Sequence, residues 1–149
     1  MTITVSVKIP LFPTESKEKV LKCFETLLDS IPKISEIKEH STTYLVAENI
    51  SVKKIEKIFT LIREQQILDT VRNCAIIDHP TNSVIFYLHK QALFSGKIAI
   101  ITSDTTSPLG QVELHIRNKD PKAILDWIAP KTVEGKEVTK TTFKDVYKL

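Results

Sequence analysis

The sequence predicts an α+β fold with two layers, in which a mixed and mainly antiparallel sheet carries helices packed on one face. Two observations predict this class. Strand and helix patterns alternate in the first half of the chain, which favours a crossover connection. Three strand-like segments follow one another in the second half, which favours antiparallel pairing.

The first strand and the first helix have clear periodic patterns. Apolar and polar residues alternate over residues 3–9, which is typical of a half-buried strand. Thr14 is a suitable N-cap, and apolar residues then recur at helical spacing from Val20 until Pro32. We therefore expect a helix that lays one apolar stripe against the sheet.

Two strands and a long helical stretch come next. Residues 33–39 alternate imperfectly and predict a weak strand, whereas Thr43–Glu48 is a clearer run of aromatic and β-branched residues. Ser51 can cap a second helix, and the same apolar period extends through residues 52–75. We expect a break in this helix near Gln65 and Gln66.

The second half contains three strand-like segments and one more helix. The strands are VIFYL after Ser83, KIAIIT at residues 97–102 and QVELHIR at residues 111–117. A third helix is predicted from Asp120 through Trp127, with Pro121 at its first turn, where a missing N–H costs nothing.

Length and charge bound the organisation of the chain. The 149 residues predict a single domain, 1–149, with a core over 1–129 and a lysine-rich C-terminal segment over 130–149. The net charge of +3 is too small to establish a polyanionic partner by itself.

Location and cysteine usage are predicted from the same composition. No apolar run approaches the roughly 20 residues of a membrane span, and the first ten residues alternate instead of forming the apolar core of a signal peptide. We expect a cytoplasmic protein with no membrane partner. Cys23 and Cys74 are expected to be reduced, buried packing residues.

Most enzyme signatures are missing from the sequence. It contains no GxGxxG or GxxxxGK[ST] loop, no HExxH, no CxxC and no GxSxG. Its four histidines have no i, i+3 or i, i+4 pairing, so a metal site on one helix face is unsupported. With the phosphate-binding loops also missing, we expect neither a cofactor nor a metal. Enzyme activity stays the third alternative, with Asp69 and Asp104 as the acids to test.

The stretch IREQQILDTVRNC contains the first candidate binding residues. At helical spacing, Arg63, Gln66, Asp69 and Arg72 form one polar row beside the apolar stripe. The row is either a solvated helix face with pairing between Asp69 and Arg72, or a set of donors that reads phosphate and ribose oxygens.

The stretch FYLHKQALFSGKIAI contains the second set. A buried strand is expected to run into Lys90 and Gln91 and to return through Gly96 and Lys97, which would place these residues at one sheet edge. No acidic residue occurs between Asp78 and Asp104. This edge either attracts phosphates or is an ordinary connection whose lysines protect it from aggregation.

Other motifs are assigned to turns and packing. Ser107, Pro108 and Gly110 fit a type I turn that leads into QVELHIR. Stacking of RNA bases on aromatic side chains has little support, because core packing is the expected role of Phe86 and Phe94.

The residues of these two stretches carry a family resemblance. IREQQILDTVR, YLHKQALFSGKIAI and the turn from Asp104 through Ser107-Pro108-Leu109-Gly110 are similar to those of an archaeal family of small uncharacterised proteins. Members are described as predicted RNA-binding proteins and exosome subunits. The resemblance covers residues 1 to about 118. It implies a fold like that of the large-subunit ribosomal protein that binds 5S RNA, and a role around RNA.

The leading hypothesis is a non-catalytic RNA-binding module. Arg63, Arg72, Lys90 and Lys97 would contact phosphates, and Gln66 and Gln91 would bind sugar or base edges. Asp69, Gly96, Ser107, Pro108 and Gly110 would be structural. The hypothesis requires the four cationic side chains to meet on one surface.

The alternative is a protein-interaction or assembly subunit without direct RNA binding. It would be a homodimer or part of an RNA-processing complex, associating through an exposed sheet edge or the third helix. Trp127 would be either an interface anchor or a core residue.

Overall fold

A computed structural model describes residues 3–102, 110–134, 136–138 and 140–149. The strands are β1 (Thr4–Leu11), β2 (Ser35–Glu39), β3 (Thr42–Ser51), β4 (Ile76–Asp78), β5 (Ser83–His89), β6 (Gln111–Arg117), β7 (Thr132–Val133) and β8 (Lys136–Glu137). The α-helices are α1 (Lys17–Leu28), α2 (Glu56–Glu64), α3 (Leu68–Cys74), α4 (Lys90–Phe94) and α5 (Pro121–Ile128). Two 3₁₀ helices span Val52–Ile55 and Phe143–Lys148.

Six strands form one sheet in the order β2-β3-β1-β6-β5-β4, and β7 and β8 form a separate hairpin. All strand pairs in the described residues are antiparallel. The α+β class with a mainly antiparallel sheet is confirmed. β1 and β2 both pair antiparallel with β3, which lies between them, so β1 and β2 run parallel to each other and are connected through α1 by the expected crossover. β2 and β3 are joined as a hairpin across His40 and Ser41, both at positive φ.

One face of the sheet is the core. Its buried residues are Val5, Val7 and Ile9 of β1, Leu45 and Ala47 of β3, Val84, Phe86 and Leu88 of β5, and Val112, Leu114 and Ile116 of β6. Apolar residues of α2, α3 and α5, among them Ile58, Val71 and Ile128, lie against this face. The opposite face carries the intervening polar residues and is partly exposed. The alternation of each strand therefore decides which side the helices cover.

The first helix begins later than the sequence predicted. Ser16, not Thr14, is the N-cap of α1. The backbone N–H of Glu15 donates to the Phe12 carbonyl at 2.9 Å, and the Glu15 side chain accepts from the Phe12 N–H at 3.1 Å. Since these bonds close a turn over residues 12–15, the helix starts after it.

The predicted strand at residues 97–102 is wrong as a regular strand. It makes a single antiparallel bridge, between Ile100 and Leu88. The Ile98 backbone bonds instead to the Gln65 side chain, through both its N–H and its carbonyl. The first residues of β5, Ser83 to Ile85, pair with β4, a strand that the sequence did not predict.

The break in the second helical stretch is confirmed. Helix α2 ends at Glu64 and α3 begins at Leu68. Gln66 lies between them with φ of 58°, a left-handed conformation that ends a helix.

The C-terminal segment packs onto the core. Phe143 lies 5.4 Å from the Trp127 ring and 5.7 Å from the Phe59 ring, between centroids, and Val146 is fully buried. The Trp127 indole N–H donates to the carbonyls of Thr142 and Phe143. Trp127 is therefore a core residue and not an exposed interface anchor.

The burial expected of two phenylalanines and two cysteines is found for one residue of each pair. Phe86 is buried as expected, but Phe94 is 40% exposed. Both cysteines are free. Cys23 is buried, and burial raises the pKa of its thiol to about 12, whereas Cys74 is only partly buried.

We predict that Gly110→Ala destabilises the protein more than Gly96→Ala. Both glycines have positive φ, so each substitution strains the backbone by about 1 kcal/mol. A Cβ at Gly110 would lie 2.7 Å from Pro10 Cγ, whereas a Cβ at Gly96 meets nothing within 4 Å. We expect a loss of unfolding free energy of about 3 kcal/mol for Gly110→Ala in urea denaturation. Equal losses for the two variants would contradict this packing.

Candidate nucleic-acid interface

Arg63 is a residue of α2, and its side chain contacts the C-terminal end of α5. Its guanidinium donates to the carbonyls of Ile128 at 3.0 Å and Trp127 at 3.2 Å. It also donates to the Thr141 hydroxyl and lies 3.5 Å from a Glu137 carboxylate oxygen. Burial lowers the pKa of this guanidinium, and Glu137 opposes that shift. The side chain is thus engaged within the protein and is not part of a free polar row.

Arg72 contacts the same end of α5. Its guanidinium donates to the Ala129 carbonyl at 3.0 Å and pairs with Asp126 at 2.8 Å. The last carbonyls of a helix have no partner inside the helix, and Ala129 is fully buried, so external donors are needed. Arg63 and Arg72 supply these donors and add positive charge at the negative end of the helix dipole. The two arginines thus cap α5, and Arg72 pairs with Asp126 and not with Asp69.

Lys90 is an interior residue, which corrects the expectation that it lies on an exposed corner. The strand β5 continues into α4, and Lys90 at its start is fully buried. Its ammonium donates to the Pro10 carbonyl at 2.6 Å and to the Glu15 carboxylate at 2.8 Å. The burial of Lys90 could have been predicted from its spacing, because it follows buried Leu88 by two residues and precedes buried Leu93 by three. These contacts leave Lys90 no access to an external phosphate.

The turn between α2 and α3 lies beside the corner that contains Lys97. The Gln65 side-chain amide donates to the Ile98 carbonyl at 2.7 Å and accepts from the Ile98 N–H at 3.0 Å. Gln66 follows Gln65, Lys97 precedes Ile98, and both are exposed. The two predicted stretches thus converge at this pair of hydrogen bonds, through Gln65, which the sequence analysis considered only as a helix break.

A cleft of about 440 Å³ lies on the other side of that turn. It is lined by Arg63, Gln66, Leu68, Asp69, Thr132, Lys136, Glu137 and Lys140, and we call it the C-terminal cleft. Its two carboxylates have internal partners, because Glu137 pairs with Arg63 and Asp69 accepts from the Thr132 hydroxyl. Lys136 and Lys140 are exposed, and no carboxylate of the described residues pairs with either. Arg63, Lys136 and Lys140 against Asp69 and Glu137 give the lining of the cleft one net positive charge.

The remaining predicted site residues have separate positions. Gln91 is exposed on α4, and Gly96 ends the turn after α4 with φ of 77°. Asp104, Ser107 and Pro108 lie outside the described residues.

The open face of the sheet carries a polar pair that the sequence analysis did not single out. The Glu113 carboxylate lies 3.2 Å from His115 Nε2. The hydrogen bond from His115 lowers the pKa of Glu113, burial opposes this, and Lys8 on the neighbouring strand lowers it further. The signal for this pair was the alternation of QVELHIR, which places both residues on one face.

A second lysine cluster lines a shallow groove of about 700 Å³ between α1 and α2. The lining residues are Leu28, Asp29, Lys53, Lys54, Glu56, Lys57 and Thr60. This groove is a rival surface for a polyanion, and we call it the α1–α2 groove.

Two kinds of structural feature are absent from the described ranges. No cluster of three or more His, Cys, Asp or Glu side chains there is arranged to hold a metal ion. No helix in those ranges has the length and apolar character needed to cross a membrane.

Comparison with known proteins identifies the family. A family model described as RNA binding matches residues 4–119. The chain is 34% identical over 131 residues to a UPF0201 protein of Sulfurisphaera tokodaii, covering 88% of this chain and 90% of that protein. The chain belongs to the UPF0201 family. The archaeal family resemblance is thereby confirmed.

Other UPF0201 proteins extend the match. The protein of Saccharolobus solfataricus is 34% identical over 133 residues, with 89% of this chain and 91% of that protein covered. The crystal structure of the Methanococcus jannaschii UPF0201 protein superposes with a TM-score of 0.74 at 26% identity, covering 91% of this chain and 99% of that one. The likeness extends over the fold and not only over the motifs.

We predict that Lys90→Met lowers the unfolding free energy by about 3 kcal/mol, because it leaves the Glu15 carboxylate buried without its partner. Adding Glu15→Gln should recover part of this loss. The matched control is Lys97→Met, an exposed position where we expect a change within about 0.5 kcal/mol. Urea denaturation measures all three, and equal stability of the two lysine variants would refute the structural role of Lys90.

We predict that Glu113 stabilises the protein at neutral pH and loses this effect in acid. Its folded-state pKa lies below the ordinary value of 4.5, so its contribution is fully present above that value and disappears as the pH falls through the folded pKa. The difference in unfolding free energy between wild type and Glu113→Gln should therefore shrink below about pH 4.5. A difference that stays constant across the acid range would contradict the assignment.

Proposed function

We propose that this UPF0201 protein is a non-catalytic RNA-binding module that contacts RNA through the C-terminal cleft and the neighbouring Lys97. Lys97, Lys136 and Lys140 would contact phosphates, while Gln66 and Gln91 would bind sugar or base edges. The observation that carries the proposal is that Gln66, Lys136 and Lys140 line one cleft, while the Gln65 amide bonds to the Ile98 backbone next to Lys97.

The charge balance of this surface supports phosphate binding. Glu137 is paired with Arg63, whereas the Asp69 carboxylate accepts from the Thr132 hydroxyl and keeps its charge. An incoming phosphate would therefore meet two ammonium groups and one amide against one charged carboxylate. Lysine ammonium groups act as point charges on phosphate oxygens and release condensed counterions. The RNA-binding family model, which matches residues 4–119, supports the same class of ligand.

Arg63, Arg72 and Lys90 are left out of this contact set. Each side chain donates from a terminal nitrogen to a backbone carbonyl and pairs with one carboxylate of the protein. Exchanging those bonds for phosphate contacts would leave buried acceptors without a donor, which costs about 1 to 3 kcal/mol for each group. In the proposed complex, Arg63 contributes only to the positive potential of the cleft.

We predict that Lys97→Ala/Lys136→Ala/Lys140→Ala weakens RNA binding and flattens its salt dependence. Three lost phosphate contacts should reduce the slope of log K against log salt by about 2 to 3. Fluorescence anisotropy with a labelled single-stranded RNA and a hairpin RNA, at about 50 and 200 mM KCl, measures this slope.

Two further triple variants test where the RNA lies. Lys19→Ala/Lys22→Ala/Lys33→Ala removes the same charge at exposed positions away from the cleft and should keep most of the slope. Lys53→Ala/Lys54→Ala/Lys57→Ala removes the charge of the α1–α2 groove. If only the groove variant loses binding, the cleft is the wrong surface. If the wild type binds neither RNA at low salt, the proposed function fails.

A further inference from the structure

The strand β2 lies at one end of the main sheet, and its outer edge has no partner among the described residues. It hydrogen-bonds to one neighbour in the described part of the chain, β3. All five of its residues are exposed, which is unlike any other strand of the main sheet. Its outward N–H and C=O groups are therefore available to another strand.

The charges on β2 divide between the two faces of the sheet. Glu36 lies opposite Leu45 in the pairing with β3 and forms an ion pair with Lys17 of α1, so it is on the helix side. Lys38, two residues on, shares that side. Ile37, which is 38% exposed, faces the open side, opposite Tyr44.

We propose that two copies of this chain associate through β2, antiparallel and centred on Ile37, to form one continuous sheet. An antiparallel pair of identical edge strands needs a two-fold axis perpendicular to the sheet, which keeps the helices of both copies on the same side. Centred on Ile37, the axis places Glu36 opposite the partner's Lys38 and Lys38 opposite the partner's Glu36. Ile37 then lies beside its own counterpart on the open face.

The charge order selects this register over its neighbours. A pairing centred on Glu36 would oppose two carboxylates, and one centred on Lys38 would oppose two ammonium groups. Like charges directly opposite are destabilising, whereas opposite charges stabilise cross-strand pairs. The Ile37-centred register also pairs all five residues of β2, because Ser35 meets the partner's Glu39. Glu39 keeps its ion pair with Lys8, at 3.0 Å, on the open face.

Protection against aggregation is the other reading of a charged edge strand. Charges protect an edge in any order, but the order Glu-Ile-Lys is complementary to itself when reversed. Protection also leaves the isoleucine between the charges without a role, whereas the proposed pairing covers it. Five paired residues bury less surface than a standard interface, so we expect a weak, roughly micromolar dimer.

We predict that the dimer is controlled by the signs of the charges at positions 36 and 38. Lys38→Glu alone, or Glu36→Lys alone, replaces both attractive contacts by repulsive ones and should raise the dissociation constant roughly 10- to 100-fold. An equimolar mixture of the two variants should associate as a heterodimer, and the double variant Glu36→Lys/Lys38→Glu should dimerise like the wild type. Sedimentation velocity over a micromolar to millimolar concentration series measures each state.

The control for these variants is Lys19→Glu, which makes the same charge change at an exposed position of α1 and should dimerise like the wild type. Circular dichroism verifies that each variant is folded, and association of the mixture shows that both single variants keep a native edge. A wild type that stays monomeric throughout overturns the proposal. So does a Lys38→Glu variant that dimerises like the wild type, or a mixture that does not associate. None of these measurements uses RNA, so they are independent of the proposed function.

Discussion

The buried end of α5 sets a constraint that much of this structure satisfies. Trp127, Ile128 and Ala129 present carbonyls that the helix itself cannot pair, and all three residues are buried. Arg63 of α2 and Arg72 of α3 supply the donors. Because one guanidinium also bonds to Thr141 and pairs with Glu137, the same interaction attaches the C-terminal segment to the core.

This constraint explains why lysines, and not Arg63 and Arg72, carry the positive charge that is available to a ligand. A guanidinium that satisfies buried carbonyls gains hydrogen bonds that it would lose on turning outward. The lysines at the cleft, Lys136 and Lys140, have no such acceptors among the described residues and remain exposed. The interior arginine Arg63 thus holds in place the segment that carries the exterior lysines.

A strand or helix was predictable from the sequence wherever its own residues showed a clear periodic pattern or a clear break. The alternation over residues 3–9 and in QVELHIR predicted strands with one buried face, and Gln65 and Gln66 marked the break between α2 and α3. The segment 97–102 failed as a regular strand because its backbone bonds are divided: Ala99 and Ile101 bond to β5, whereas Ile98 bonds to the Gln65 side chain. Propensity alone cannot distinguish these two partners of a backbone amide.

By itself, the sequence determined the α+β class, the faces of the main strands, the burial of Phe86 and the family, because these depend on local periodicity and on the order of residues. Only the tertiary structure decided the roles of Arg63, Arg72 and Lys90. Their acceptors include the carbonyls of Ile128, Ala129 and Pro10, which lie 65, 57 and 80 residues away in the chain. A carbonyl is common to every residue, so no side-chain pattern indicates which ones the fold will bury unpaired.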